Sequence, residues 1–144
     1  MVNLSKSSTW QILEANWAKG FEHLLPEEQE AIALYWLEAE TLNGGLDQFF
    51  HNSSGDLAPL ALAGLKRLNC MQTFNILSDL MRLIFGENYP IVREDRFDFL
   101  TQIEAKFGLD YDRIATNFIQ DLHEDFMPLA VKNLETIYAS KPLL

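Results

Sequence analysis

The sequence predicts an all-α fold: a compact, single-domain, irregular bundle of about six to eight helices spanning residues 1–144. Three observations lead there. Apolar residues recur at intervals of three and four in window after window, the period of one helix face. Glycine and proline punctuate those windows where helices should end and begin. No alternation of apolar and polar residues persists long enough for a strand, and no internal repeat or long linker divides the chain.

Ser7, Ser8 and Thr9 offer caps for a first helix near residues 9–22, with Trp10, Leu13, Trp17 and Phe21 at helical spacing. Pro26, with Glu27 and Glu28 behind it, opens a second helix that should run to about Asn43 and stop at Gly44 and Gly45. Ile32, Leu34, Tyr35, Trp36, Leu37, Ala39 and Leu42 fall at many angles around its axis, the pattern of a helix buried mid-fold. Glu38 and Glu40 interrupt it on opposite sides, so at least one should be partly buried. Asp47 to Asn52 allows about one and a half turns of helix. Asp56 can then cap a helix bearing Leu57, Leu60, Ala61, Gly64 and Leu68. A further helix carries Phe74, Leu77, Met81 and Ile84 and ends before Gly86, and Asn88-Tyr89-Pro90 is a connector. The next begins near Asp95, carries Phe97, Leu100, Ile103 and Phe107, and stops at Gly108. Residues 111–120 form a short helix capped by Asp110. The last covers 125–139, with Phe126, Leu129, Ala130, Leu134, Ile137 and Tyr138 inward.

A chain of this length buries about 68–70% of its unfolded surface and needs no metal, disulfide or cofactor to hold a core. The 21 acidic and 11 basic side chains give a net charge of −10. That balance argues against direct nucleic-acid binding, which needs clustered Lys and Arg, and against docking on anionic lipid. The single cysteine, Cys70, sits in an apolar stretch and reads as a small core residue. No basic segment leads into an apolar run at the N-terminus, and no apolar stretch approaches the ~20 residues of a membrane span, so a cytoplasmic protein is expected.

The informative segment is 43–56. Gly44 and Gly45 allow a sharp reversal with positive φ. Asn52, Ser53, Ser54 and Gly55 make a second turn, because these side chains bond to nearby backbone. Phe49 and Phe50 read as core plugs, in preference to one being exposed at a partner surface. The run Tyr35-Trp36-Leu37-Glu38-Ala39-Glu40, then Asn43, Gly44, Gly45, Gln48, Phe49, Phe50, Asn52, Ser53, Ser54, Gly55 and Asp56, resembles the signature of the bacterial DNA-mimic protein domain family. The resemblance implies an α-helical domain, a homodimer, and an acidic surface that occupies the DNA-binding face of a transcriptional regulator. The signature itself reads as structural.

Mimicry of DNA requires many carboxylates in a fixed array with few cations nearby. No Lys or Arg occurs between Lys19 and Lys66, a stretch that holds Glu22, Glu27, Glu28, Glu30, Glu38, Glu40, Asp47 and Asp56. A second acidic run holds Asp110, Asp112, Asp121, Glu124 and Asp125, with Arg113 among them. The plainer account is solvated helix faces and first-turn carboxylates, which Glu27 and Glu28 already satisfy.

Catalytic and metal readings are weaker. Asp47 and His51 share a helix face with Ser53 and Ser54 nearby, but triads are assembled from distant segments and no nucleophile elbow is present. His23, His51 and His123 stand apart, with no paired-ligand spacing. The expectation is therefore a non-enzymatic acidic module without metal or cofactor. Its binding face is Glu27, Glu28, Glu30, Glu38, Glu40, Asp47 and Asp56, and its partner is a basic, DNA-binding protein. Two alternatives stand beside it: a small-molecule-binding or hydrolytic domain with a pocket near Glu38, Asp47, Gln48 and His51, or a structural dimerisation domain.

Overall fold

The computed structural model describes residues 4, 7–120 and 124–140. Among them run eight α-helices: α1 (Ser8–Trp17), α2 (Pro26–Gly44), α3 (Leu46–His51), α4 (Ala58–Arg67), α5 (Met71–Phe85), α6 (Arg93–Phe107), α7 (Leu109–Asn117) and α8 (Phe126–Ser140). Short 3-10 turns at Phe21–His23 and Ser53–Leu57 join some of them, and no strand occurs among the described residues. The all-α bundle is thus the observed fold. Asp121 and His123 lie outside the described residues.

Helix α2 is the axis. Its all-round apolar sequence buries Ala31, Ile32, Ala33, Leu34 and Leu37, and it packs against α3, α4, α7 and α8. Pro26 at its first position leaves no orphan N–H there. The Glu28 carboxylate turns back to accept from the Leu25 N–H at 3.0 Å, half of a capping box.

Several boundaries differ from the sequence reading. Helix α1 ends at Trp17, because the chain turns at Gly20 with φ +127, a conformation closed to L side chains. Phe21 therefore belongs to the 3-10 turn that follows. Ser7 is the cap, accepting from the Trp10 N–H at 3.2 Å. Asp56 does not cap α4; Leu57 occupies that position without a side-chain bond, and Asp56 is drawn to a cation instead. Asp110 is not a cap either: α7 starts at Leu109, and Asp110 sits in its first turn.

Helix α6 starts at Arg93, two residues before the predicted start, and its inward residues are Arg96, Leu100 and Ile103. Phe97 is half-buried and Phe107 exposed, so the buried stripe starts one residue earlier than the predicted one. On α8, Leu129 faces outward, and Phe126, Met127, Ala130 and Leu134 fill the core.

Candidate functional site

The segment from Gly44 to Leu57 folds as two turns around the short α3. Gly45 takes φ +84, and a Cβ there would press on Ala115 O and Thr116 Cα at 3.2 Å. Helix α3 then drives Leu46, Phe49 and Phe50 into the core, all fully buried. Phe50 meets Phe85 edge-on, with ring centroids 5.2 Å apart. Both phenylalanines are core plugs, and neither reaches the surface. At Gly55 a side chain would run into Phe49 O and the Arg96 guanidinium, so only glycine fits.

Arg96 organises this turn. It is fully buried, the largest such side chain among the described residues. Its Nε donates to Phe50 O at 2.7 Å and its Nη2 to Asn52 O at 2.8 Å. Its Nη1 donates to Pro90 O and Ile91 O at 2.9 Å and pairs with Asp56 Oδ1 at 2.8 Å. A guanidinium is the one side chain with enough rigid donors for this task. Tyr89 closes the cluster: its ring lies 5.6 Å from the guanidinium carbon and its hydroxyl donates to Gly55 O at 2.7 Å. Burial raises the Tyr89 hydroxyl far above its ordinary pKa, outweighing the nearby Arg96 charge, so it stays a donor. Sequence reasoning missed Arg96. The available signal was an arginine in register with Leu100 and Ile103 on an otherwise apolar stripe.

The seven carboxylates expected on one outward face are not gathered there. Glu28, Glu30 and Glu38 are buried. Glu28 accepts from Asn16 Nδ2 at 2.9 Å and the Tyr138 hydroxyl at 2.7 Å, tying α1 and α8 to α2. Arg67 grips Glu30 through two bonds of 2.6 and 3.0 Å and also reaches Glu27 at 3.2 Å. Asp47 accepts from the Tyr111 hydroxyl at 2.7 Å. Asp56 pairs with Arg96. The cation-free window from Lys19 to Lys66 misled because Arg67 and Arg96 lie outside it in sequence and inside it in space. Glu38 has a carboxyl pushed up from its usual value by burial, reinforced by the negative charge of Asp125.

Glu40 is different. Its Oε2 accepts from Gln48 Nε2 at 2.9 Å and Asn52 Nδ2 at 2.6 Å, two neutral amides. It lines an open cleft of about 550 Å³, whose walls include Trp36, Asn52, Ser53, Asp56 and Arg93. Glu38, Asp47 and His51 are not among those walls. Glu38 sits two residues from Glu40 on α2, hence about 200° away around the axis. His51 stacks on Phe97 with ring centroids 5.9 Å apart, and its Nε2 lies 3.4 Å from Asp47 Oδ2. Ser54 Oγ is buried with no hydrogen-bond partner in the structure. The Asp47–His51 pair is therefore present, but no bond to a serine extends it. Among the described residues no group of three or more His, Cys, Asp or Glu is placed to hold a metal ion, and no helix is long and apolar enough to cross a membrane.

Exposed acidic groups without an ion pair are numerous on the two later helices. Glu94, Asp95, Asp98 and Glu104 on α6, and Asp110 and Asp112 on α7, are exposed. None of the six forms an ion pair among the described residues. Arg93, Lys106 and Arg113 are the exposed cations of the same two helices.

Fold and surface together define a small all-α module, centred on one buried helix, with an acidic flank formed by two later helices. Residues 22–139 match the family described as DMP19-like protein. The chain belongs to that family, the one to which the signature at residues 35–56 pointed. No curated protein and no solved structure matches the chain.

Proposed function

We propose that this chain is a non-catalytic protein-binding module whose partner is a basic, DNA-binding protein. It seats carboxylates where that partner would otherwise hold phosphates. Family membership supports the class of activity, since the resemblance of residues 35–56 implies DNA mimicry. The observation that carries the reading is the excess of exposed carboxylates on α6 and α7, six without an ion pair among the described residues against the three exposed cations Arg93, Lys106 and Arg113. Glu94 and Asp98 stand one turn apart, about 6 Å along the helix axis, with Arg96 on the buried side between them. The surface proposed here is thus the α6–α7 flank, joined at its edge by Glu40, in place of the α2 carboxylates that the core consumes. As the resemblance implies, the working unit is a homodimer, which light scattering would read as twice the chain's mass.

The test has two stages. The immobilised chain captures partners from a bacterial extract at about 50 mM salt, where the screening length is still well over 10 Å. Captured proteins are then assayed for binding to labelled DNA with and without the chain. The expected result is displacement of DNA, lost in a Glu94→Lys/Asp98→Lys double variant and weakened steeply by salt. Undiminished DNA binding under a saturating excess of the chain would overturn the proposal.

A further inference from the structure

We infer that the cleft between α2 and the Ser53–Leu57 turn is a receptor for one arginine side chain on the partner's surface, a refinement that rests on the reading above. Three observations converge there. The first is the state of Glu40. Its carboxylate is half-buried and locked by Gln48 and Asn52, both uncharged, and no cation of the described residues lies within ion-pair distance of it. A fixed, partly desolvated anion without a counter-ion is a site prepared for a cation. The contrast with its neighbours is sharp, because Glu27 and Glu30 share Arg67 and Asp56 holds Arg96.

The second is the wall. Trp36 is half-buried and lines the same cleft as Glu40, one helical turn before it on α2. A planar guanidinium stacks on an aromatic ring while donating sideways to an oxygen, which a compact ammonium does less well. The third is an unsatisfied hydroxyl behind that wall, Ser54 Oγ, buried without a hydrogen-bond partner in the turn that lines the cleft, so a ligand reaches it only if the Ser54 side chain turns toward the opening. At about 550 Å³ and open to solvent, the space takes a side-chain stem as well as its head group. Arginine is also the residue with which DNA-binding surfaces most often grip phosphate.

One feature of the site opposes a cation. Arg93 stands at the rim, its Nε donating to His51 O at 2.7 Å and its guanidinium carbon 5.1 Å from the Phe97 ring centre. Those contacts hold it toward α3 and α6. Its charge makes opposite predictions for the two kinds of ligand: its removal strengthens a cation and weakens an anion or zwitterion.

The experiment titrates the full-length chain, observed by amide NMR, with a capped Gly-Ser-Arg-Ser-Gly peptide. Parallel titrations use the citrulline peptide, the lysine peptide and free arginine. The arginine peptide should shift the Trp36 indole and Asn52 side-chain signals, and the citrulline peptide should not. Glu40→Gln, which keeps an acceptor for Gln48 and Asn52, should weaken binding about tenfold, the loss of one charge-assisted bond. Trp36→Leu should weaken it comparably and serves as the readout should the first variant not fold. Arg93→Ala should tighten it. Unchanged affinity in Glu40→Gln or weakened binding in Arg93→Ala overturns the inference. Free arginine binding as tightly as the peptide overturns the assignment to a partner's side chain, making the ligand a free guanidinium compound. The Glu94→Lys/Asp98→Lys variant separates this idea from the broader one. It should lose DNA displacement and keep peptide binding, so failure of either proposal leaves the other readable.

Discussion

Replacing Arg96 with methionine removes the fastening that shapes residues 50–57, and its cost can be worked from the contacts. Four backbone carbonyls (Phe50, Asn52, Pro90 and Ile91) lose their donor. At about 1 kcal/mol for each acceptor left without its bond, the loss is about 4 kcal/mol. Asp56 keeps 38% of its side-chain exposure, but its Oδ1 is buried, so its carboxylate rehydrates by swinging that oxygen outward. Methionine returns about 1 kcal/mol, because it fills part of the volume and a buried charge no longer has to be desolvated. The net destabilisation is about 3 kcal/mol, a large share of the roughly 5–15 kcal/mol that holds a domain together. Equilibrium urea unfolding followed by circular dichroism reads it directly. With an m value of about 1–3 kcal/mol/M the midpoint falls by about 1–3 M. Arg96→Lys keeps the charge beside Asp56 but cannot reach carbonyls on both sides, and it should lose about half as much. A loss under about 1 kcal/mol in Arg96→Met would show that water replaces the guanidinium freely and that the reasoning from buried carbonyls is wrong.

Two pH-linked variants follow. The Glu38 carboxyl has a folded pKa raised by burial, so the folded state holds that proton more tightly than the unfolded chain does. Stability is therefore lost as pH rises from about 4.5 through the raised value, and Glu38→Gln should raise Tm at pH 7 and leave it unchanged at pH 4. Thermal scans at the two pH values decide it; an equal shift at both would rule out ionisation as the cause. Glu124 behaves oppositely. Partial desolvation acts upward, but bonds from the Thr73 hydroxyl and the Thr73 and Gln72 N–H groups outweigh it and lower its pKa. It caps the start of α5 from across the chain, a contribution present above about pH 4.5 and lost as pH falls through the lowered value. Glu124→Ala should cost about 0.5–1 kcal/mol at pH 7, kept small by solvent screening, and less at pH 3. Chemical denaturation at both pH values measures the difference.

The fold was legible because helix signals are local. Pro26 and Gly45 bound α2 in sequence as they do in space, and the all-round apolar pattern between them told that α2 lies at the centre. The burial of Phe49 and Phe50 was legible for the same reason, since adjacent aromatics on a short helix serve mostly as core, whereas the close approach of Phe49 O and Arg96 that requires glycine at position 55 was not. The charge map was not legible. Whether Glu30 is a free surface anion or is covered by a cation depends on Arg67, 37 residues away, and Asp56 depends on Arg96. Ion pairing is decided by tertiary approach, about which a count of charges along the chain is silent. Glu40 shows the converse: its lack of a counter-ion appears only once Gln48 and Asn52 are seen to fold back on it.

Helix α6 has two distinct sides. Inward, Arg96 clasps the carbonyls of Phe50 and Asn52, the latter residue being a wall of the cleft. Outward, the same rod carries Glu94 and Asp98. The recess and the acidic ridge are therefore mounted on one beam and keep a constant spacing, like two marks on a ruler. A protein that fits both must display its arginine and its basic patch at that same interval, so selectivity among similarly charged candidates is set by length as well as by sign.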